Sequence, residues 1–261
     1  MLIIDKKILT FNIKEIHFSD YPMDVEDCDF INFKYCKNMV NVKGFTCKKE
    51  ATSIIDLTQD LDAIWNCMDN KSVRYRIKRA QKEGIKIHKN VGYEEFFNMY
   101  RSFMQKKGLK SIFDVFGVGY YDLELMKKYG TLFVAEFDGE IICGTLLLED
   151  NHYIEAWVGA SRRFEFEKAK ASVISDCDRL IDWEIIKYAK EKGIKEFDLG
   201  GLWSEEDLKK DENLKGINTH KLEMGGKNIP CYTYNKIYSK PLHLAYYFYT
   251  LKNSIGRKTN A

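Results

Sequence analysis

The residues best suited to proton chemistry gather late in the chain. The run Ile194–Leu199 reads as a β-strand, and its end delivers Asp198, Leu199, Gly200 and Gly201. An acid followed by two glycines at a strand end lets backbone approach a ligand closely, and in open α/β sheets ligands collect at strand ends. A second Gly-Gly corner, Gly225–Gly226, closes a stretch that carries His220 and Lys221. The two corners are expected to be two walls of one site. Asp198 is the candidate to orient or deprotonate a substrate group, and Lys221 is the candidate charged donor to a developing anion or a phosphate. Gly200 and Gly201 would let substrate come close to the backbone. Glu155 and Trp157 lie on a predicted strand, His152–Ala160, whose alternation puts them on one face and His152 on the other. Glu155 is therefore a candidate acid–base group and Trp157 a candidate substrate contact. Lys221–Met224 reads as a strand too, which would send His220 to the side opposite Lys221. No His, Cys and Asp cluster has metal-ligand spacing, and no Ser/His/Asp grouping is legible.

A second set of candidates is cationic. Residues 71–83 predict a helix in which Val73, Ile77 and Ala80 face inward at i, i+4 and i+7. Lys71, Arg74, Lys78 and Lys82 form a basic stripe beside that face, with Arg76 and Arg79 flanking it. Six cations precede the first acid, Glu83, and Gly84 is the expected stop. The stripe is either a groove for phosphates or a solvated face whose cations suit the helix C-terminus.

The chain's 261 residues suffice for one large or two small domains with a real core. With 45% apolar and 31% charged residues the composition is that of a globular chain, and a net charge of +2 gives no global pull toward a polyanion. The seven cysteines lack CxxC spacing and their odd number argues against a complete disulfide framework, so reduced buried thiols and a cytoplasmic location are expected. The N-terminus does not read as a signal peptide. No run approaches the length of a membrane span.

The elements expected to position these residues follow in order. Ile8–Ile13, Asp29–Tyr35 and Thr46–Leu57 read as strands. Asp60–Met68 reads as a helix with Thr58 as its N-cap, and Ile85–His88 as a short strand. Tyr93–Lys107 and Tyr120–Tyr129 read as helices around a loop, Gly108–Gly119, long enough to be a lid. Thr131–Phe137, Ile141–Leu148 and His152–Ala160 predict an antiparallel meander with turns at Asp138–Gly139 and Asp150–Asn151. Cys177–Lys192 predicts the helix that crosses over to Ile194–Leu199, placing that strand beside the third. Ser204 is a candidate cap for the charged segment 203–215. Pro230–Tyr238 reads as a closing strand and Pro241–Ile255 as a final helix; its aromatic, basic end either packs on the domain or rests on a membrane over 241–258.

Three of these stretches, taken in order, resemble the Fem-type transferases of the GNAT-like superfamily. They are RYRIKRAQKEGIKI at 74–87, preceded by IIDL and an acidic helix; GIKEFDLGG at 193–201; and THKLEMGG at 219–226. The resemblance covers roughly residues 45–235. It implies an α+β fold with a mixed, mostly antiparallel sheet and flanking helices. That fold would comprise a shortened N-terminal half (1–90), a C-terminal acyltransferase half (91–240) and a terminal helix and tail (241–261). It implies aminoacyl transfer from aminoacyl-tRNA to an amine, on a small molecule or a cell-envelope precursor, without a tightly bound cofactor. It matches Lys221 to the family's C-terminal lysine. The acyl transfer it implies needs a neutral amine, a polarised carbonyl and donors for the oxyanion. It would use Lys221 at the oxyanion or at a phosphate of the acyl donor, and Asp198 to orient or deprotonate the amine. Relatives use acyl-CoA instead, but the Gln/Arg-x-x-Gly-x-Gly/Ala loop of ordinary GNAT enzymes is absent, and Ser161–Asp176 in its place contains no glycine. An acyl-CoA-dependent enzyme acting on an amino sugar, nucleotide sugar or amino acid is the alternative. A non-catalytic RNA-binding module is the alternative of another class.

Overall fold

The computed structural model describes residues 1–106, 121–163, 168–244 and 246. It divides into two compact units. Of the described residues, one holds Met1–Glu50 and those from Cys231 on, and the other those within Ala51–Gly108 and Tyr121–Pro230. These boundaries fall at other positions than the 1–90, 91–240 and 241–261 segments expected from the sequence.

In the first unit β1 (Leu2–Ile8) and β2 (Phe11–His17) form an antiparallel hairpin. The expected strand at Ile8–Ile13 instead straddles its turn, because Leu9 takes a φ of +55° and the chain reverses there. β2 runs parallel to β3 (Phe30–Cys36), and β3 pairs antiparallel with β10 (Lys227–Ile237, here from Cys231 on). Ile16, Ile31, Phe33, Cys36 and Tyr234 make a core here. Leu242, on a helical turn over 240–244, joins Ile13 and Phe30 in a second small cluster. Most of the predicted terminal helix lies outside the described residues.

The second unit holds a sheet in the order β4-β9-β8-β7-β6-β5. Its strands are β4 (Thr46–Asp56, from Ala51 on), β5 (Lys86–Lys89), β6 (Thr131–Phe137), β7 (Glu140–Glu149), β8 (Tyr153–Ser161) and β9 (Glu196–Leu202). All neighbours are antiparallel except β8 and β9. Asp138 and Gly139 turn β6 into β7 with φ of +53° and +81°, the left-handed pair that a tight hairpin requires. α1 (Leu61–Cys67) is capped by Asp60, whose side chain accepts from Ala63 N; Thr58 is not the cap, because it bonds back to Asp56. A π-helical turn, Asn70–Arg74, runs into α2 (Tyr75–Lys82), and Gly84 at φ +77° stops it. Val73, Ile77 and Ala80 are fully buried. α3 (Tyr93–Lys106) buries Phe96, Met99, Tyr100 and Met104, and α4 is Leu123–Tyr129. The predicted loop at 108–119 lies outside the described residues.

The crossover helix α5 (Lys168–Glu191) starts well before the expected Cys177. Ile174, Cys177, Leu180, Ile181, Ile185, Ile186 and Ala189 enter the core with Ile55, Leu147, Ile154 and Phe197 from the strands. Each such aliphatic side chain contributes about 1.5–3 kcal/mol on burial. Two helices follow β9. α6 (Glu205–Lys210) is capped by Ser204 in a reciprocal capping box with Asp207, as the sequence suggests. α7 (Asn213–Glu223) replaces the expected strand at Lys221–Met224. Met224 N–H bonds back to His220 O and Gly225 takes φ +90°, so the Gly-Gly corner is a helix terminator.

Candidate functional site

The strands β8 and β9 pair only over Tyr153–Glu155 and Glu196–Asp198. Beyond those residues each is distorted. β8 carries a bulge opposite Leu146 and Leu147, with Trp157 as the extra residue. β9 carries an irregularity opposite Thr52–Ile54, with Gly200 at φ +88°. A bulge bends its strand and ends regular pairing. Two adjacent parallel strands thus stop pairing where they deliver Glu155 and Asp198, which face each other in register. The plain alternation expected for Glu155 and Trp157 does not carry through, because the extra residue resets it. His152 falls before β8; its carbonyl accepts from Lys195 and Glu196 N–H.

Asp198 is held from two sides. Its Oδ1 accepts from Gly200 N at 2.7 Å and from the Thr52 hydroxyl on β4. Burial raises the carboxyl from 3.8 to about 7, and the like charge of Glu155 adds to the rise. The two hydrogen bonds and the Lys221 charge oppose it without cancelling it. Glu155 is 6% exposed. A carboxyl of this kind is half ionised near neutrality and can both accept and return a proton.

Lys221 reaches the same corner from α7. Its Nζ donates to Gly201 O at 2.8 Å. A Cβ on Gly200 would stand 3.2 Å from that nitrogen and 3.5 Å from Ala156 O, so glycine serves here for both its φ and its close approach. Burial lowers the lysine's pKa, against the opposing charges of Asp198, Asp182 and Glu155. The second corner fixes the lysine's backbone. Gly226 N donates to Lys221 O at 3.3 Å, and a Cβ on Gly226 would lie 2.0 Å from Ser53 Oγ. Both Gly-Gly corners thus contact Lys221, the first at its ammonium and the second, which ends a helix, at its backbone carbonyl. His220 lies one step around α7, and its Nε2 is 2.9 Å from Asp182 Oδ2 on α5. Thr52, Ser53 and Asp182 have no signal in the sequence; their roles come from strand and helix neighbours far away in the chain.

Trp157 packs its indole on Tyr121 with ring centroids 4.1 Å apart, and its buried Nε1 has no hydrogen-bond partner among the described residues. The cationic candidates lie elsewhere in this unit. Lys71, Lys78 and Lys82 are exposed. Arg74 is half-buried and donates to Asn66 Oδ1 at 3.2 Å, so it belongs less to the stripe than expected. Arg76 and Arg79 turn to the fully buried Asp176 of α5. Among the described residues no His, Cys, Asp and Glu group is placed to hold a metal, and no helix is long and apolar enough to cross a membrane.

Comparison with known proteins gives the site a context. The family described as acetyltransferase (GNAT) domain matches residues 70–210, which includes α2, β5–β9 and the crossover helix. The crystal structure of FemX is similar with a TM-score of 0.62 at 13% identity, over 93% of this chain and 85% of that one. The C-terminal domain of a protein assigned as lysylphosphatidylglycerol synthetase from Agrobacterium fabrum is similar with a TM-score of 0.55 at 15% identity, over 90% of this chain and 79% of that one. No curated protein matches the sequence. These likenesses agree with the mixed, mostly antiparallel GNAT-like fold expected from the sequence.

Proposed function

The chain belongs to the acetyltransferase (GNAT) domain family and is an acyltransferase of that type, and we propose that it transfers an aminoacyl group from aminoacyl-tRNA to an amine. The observation that carries this reading is the arrival of Asp198 and Lys221 at the Gly200–Gly201 corner, where β8 and β9 stop pairing. In this scheme the acceptor amine loses a proton to the Asp198 carboxylate and attacks the acyl carbon. The C–N bond forms as the ester C–O bond breaks, and the ribose hydroxyl leaves with a proton returned from Asp198. Lys221 offsets the charge that develops on the carbonyl oxygen, a role that strengthens in a site shielded from water. Glu155 keeps Asp198 basic enough for the transfer, and Trp157 lines the approach. Nothing in this scheme calls for a tightly bound cofactor.

The donor assignment draws on the exposed cations Lys71, Lys78 and Lys82, with Arg74 beside them, as a surface for RNA phosphates. It draws also on the glycine-free segment 161–176, much of which is helix from Lys168 on rather than a glycine loop. A structural neighbour named for the synthesis of a lysyl lipid is consistent with an aminoacyl donor and a cell-envelope acceptor. Charged tRNA places the reaction in the cytoplasm. The second reading, an acyl-CoA donor, is favoured by the family's description as an acetyltransferase domain. A turnover screen separates them: charged tRNA mixtures against short acyl-CoAs, with a panel of amines. Amide formation only with charged tRNA supports the proposal. Turnover only with acyl-CoA moves the protein to the second reading. RNA binding without turnover of either donor would favour a non-catalytic module.

A further inference from the structure

We propose that the outward face of the 70–82 segment binds single-stranded RNA, with Tyr75 stacking an unpaired base while Lys71, Lys78 and Lys82 follow the phosphates. At 100° per residue Tyr75, Lys78 and Lys82 fall within about 60° of one another around α2, with Lys71 one turn earlier. Val73, Ile77 and Ala80 take the opposite face and are wholly buried, so the helix is anchored and the stripe is turned out. Tyr75 is 60% exposed in the middle of that stripe. A tyrosine left open on a well-packed helix is a ready stacking platform, and aromatic rings set among cations are the pattern by which proteins hold single strands.

The ring is also braced. The Arg79 guanidinium lies 5.8 Å from its centroid, one helical turn on, and Arg79 is itself tied to the buried Asp176. The arginine therefore fixes Tyr75 from one side. Lys78 lies over the Trp65 ring at 5.8 Å, which holds its stem to the same surface. Glu83 is the acid at the far end, 3.9 Å from Arg79. The π-helical turn at Asn70–Arg74, an irregularity often found at functional sites, leads directly into the stripe. An anionic membrane would answer the charge but not the shape: such surfaces take a helix with Trp, Phe or Leu wedges beside the cations, and this stripe offers one tyrosine. Duplex RNA would answer the charge but gives an aromatic ring no open base to stack on.

The surface rests on the donor reading above only for the identity of its RNA in the cell, and the test keeps the two apart. Full-length protein is titrated into a short labelled oligoadenylate, the same strand in a duplex, and vesicles containing anionic phospholipid. The single strand is expected to bind best. Tyr75→Leu should weaken it roughly 5- to 100-fold with an unchanged salt slope, whereas Tyr75→Phe stays within about two-fold. Replacing Lys78 and Lys82 by Gln should flatten the log–log salt slope by about 1.4. Equal binding by wild type and a folded Tyr75→Leu variant would overturn the proposal, as would preference for the duplex or for the vesicles. If Tyr75 matters for the oligonucleotide but charged tRNA is no donor, the surface stands and the donor reading falls. If charged tRNA is the donor and Tyr75→Leu leaves oligonucleotide binding unchanged, the stack falls and the donor reading stands.

Discussion

Replacing Asp198 by Asn should stabilise the protein while removing its activity, and should do so only above a particular pH. A carboxyl moved from 3.8 to about 7 binds its proton more tightly in the folded state than in the unfolded chain. Its contribution favours the fold below about pH 4 and is lost as pH rises through about 7. Ionising it in place at higher pH costs up to about 4 kcal/mol. Asn keeps an oxygen for Gly200 N–H and the Thr52 hydroxyl but cannot ionise. At about pH 8 the variant should therefore melt several degrees higher than wild type, and near pH 4 the two should converge. In the same series wild-type kcat/KM should fall about ten-fold per pH unit below about 7, as the base is protonated. Glu155→Gln should move that limb to lower pH, because a like charge has been removed. Thermal denaturation and initial rates between about pH 4 and pH 8.5 supply both readings. A variant destabilised at pH 8, a gain equal at both ends, or a flat wild-type profile would refute the reasoning.

Other consequences follow from the same corner. Lys221→Met should keep the fold and lower kcat roughly 100- to 1,000-fold if the ammonium faces the developing oxyanion; an unchanged kcat would return Lys221 to a structural part at Gly201 O. Gly200→Ala forces a side chain to φ +88° and 3.2 Å from Lys221 Nζ, so a loss of about 1–3 kcal/mol in stability should accompany a fall in rate; a variant with unchanged melting and rate would show that the corner tolerates a Cβ. Calorimetry with CoA and acetyl-CoA should show weak or no binding, and micromolar affinity would argue for the thioester donor.

Much of this arrangement was legible because its signals are local. The β6–β8 meander announced itself through the Asp138–Gly139 turn, and the crossover helix through the apolar spacing of Leu180, Ile181 and Ile185. The strand ending in Asp198–Gly201 and its pairing beside the meander followed from the crossover. The Ser204 cap was readable for the same reason. α7 was not: Leu222 and Met224 alternate as in a strand, the helix has no clear apolar stripe, and the glycines that end it would equally end a strand. As a strand this stretch would send His220 to the side opposite Lys221, whereas the helix sets its Nε2 2.9 Å from Asp182 Oδ2. The bulges in β8 and β9 escaped because they depend on pairing partners, and the same is true of Thr52 and Ser53. Arg74, Arg76 and Arg79 looked like surface cations by type; Asp176, almost a hundred residues on, turns two of them inward.

The central claim, that Asp198 drives acyl transfer from a charged tRNA to an amine, is tested most directly by following label from aminoacyl-tRNA into an amide in a single turnover, with wild type and Asp198→Asn side by side. The account predicts amide formation by wild type, loss of it in the folded Asn variant, and none from acetyl-CoA in either. Label transfer by the Asn variant at the wild-type rate, or transfer by wild type from acetyl-CoA alone, would contradict it.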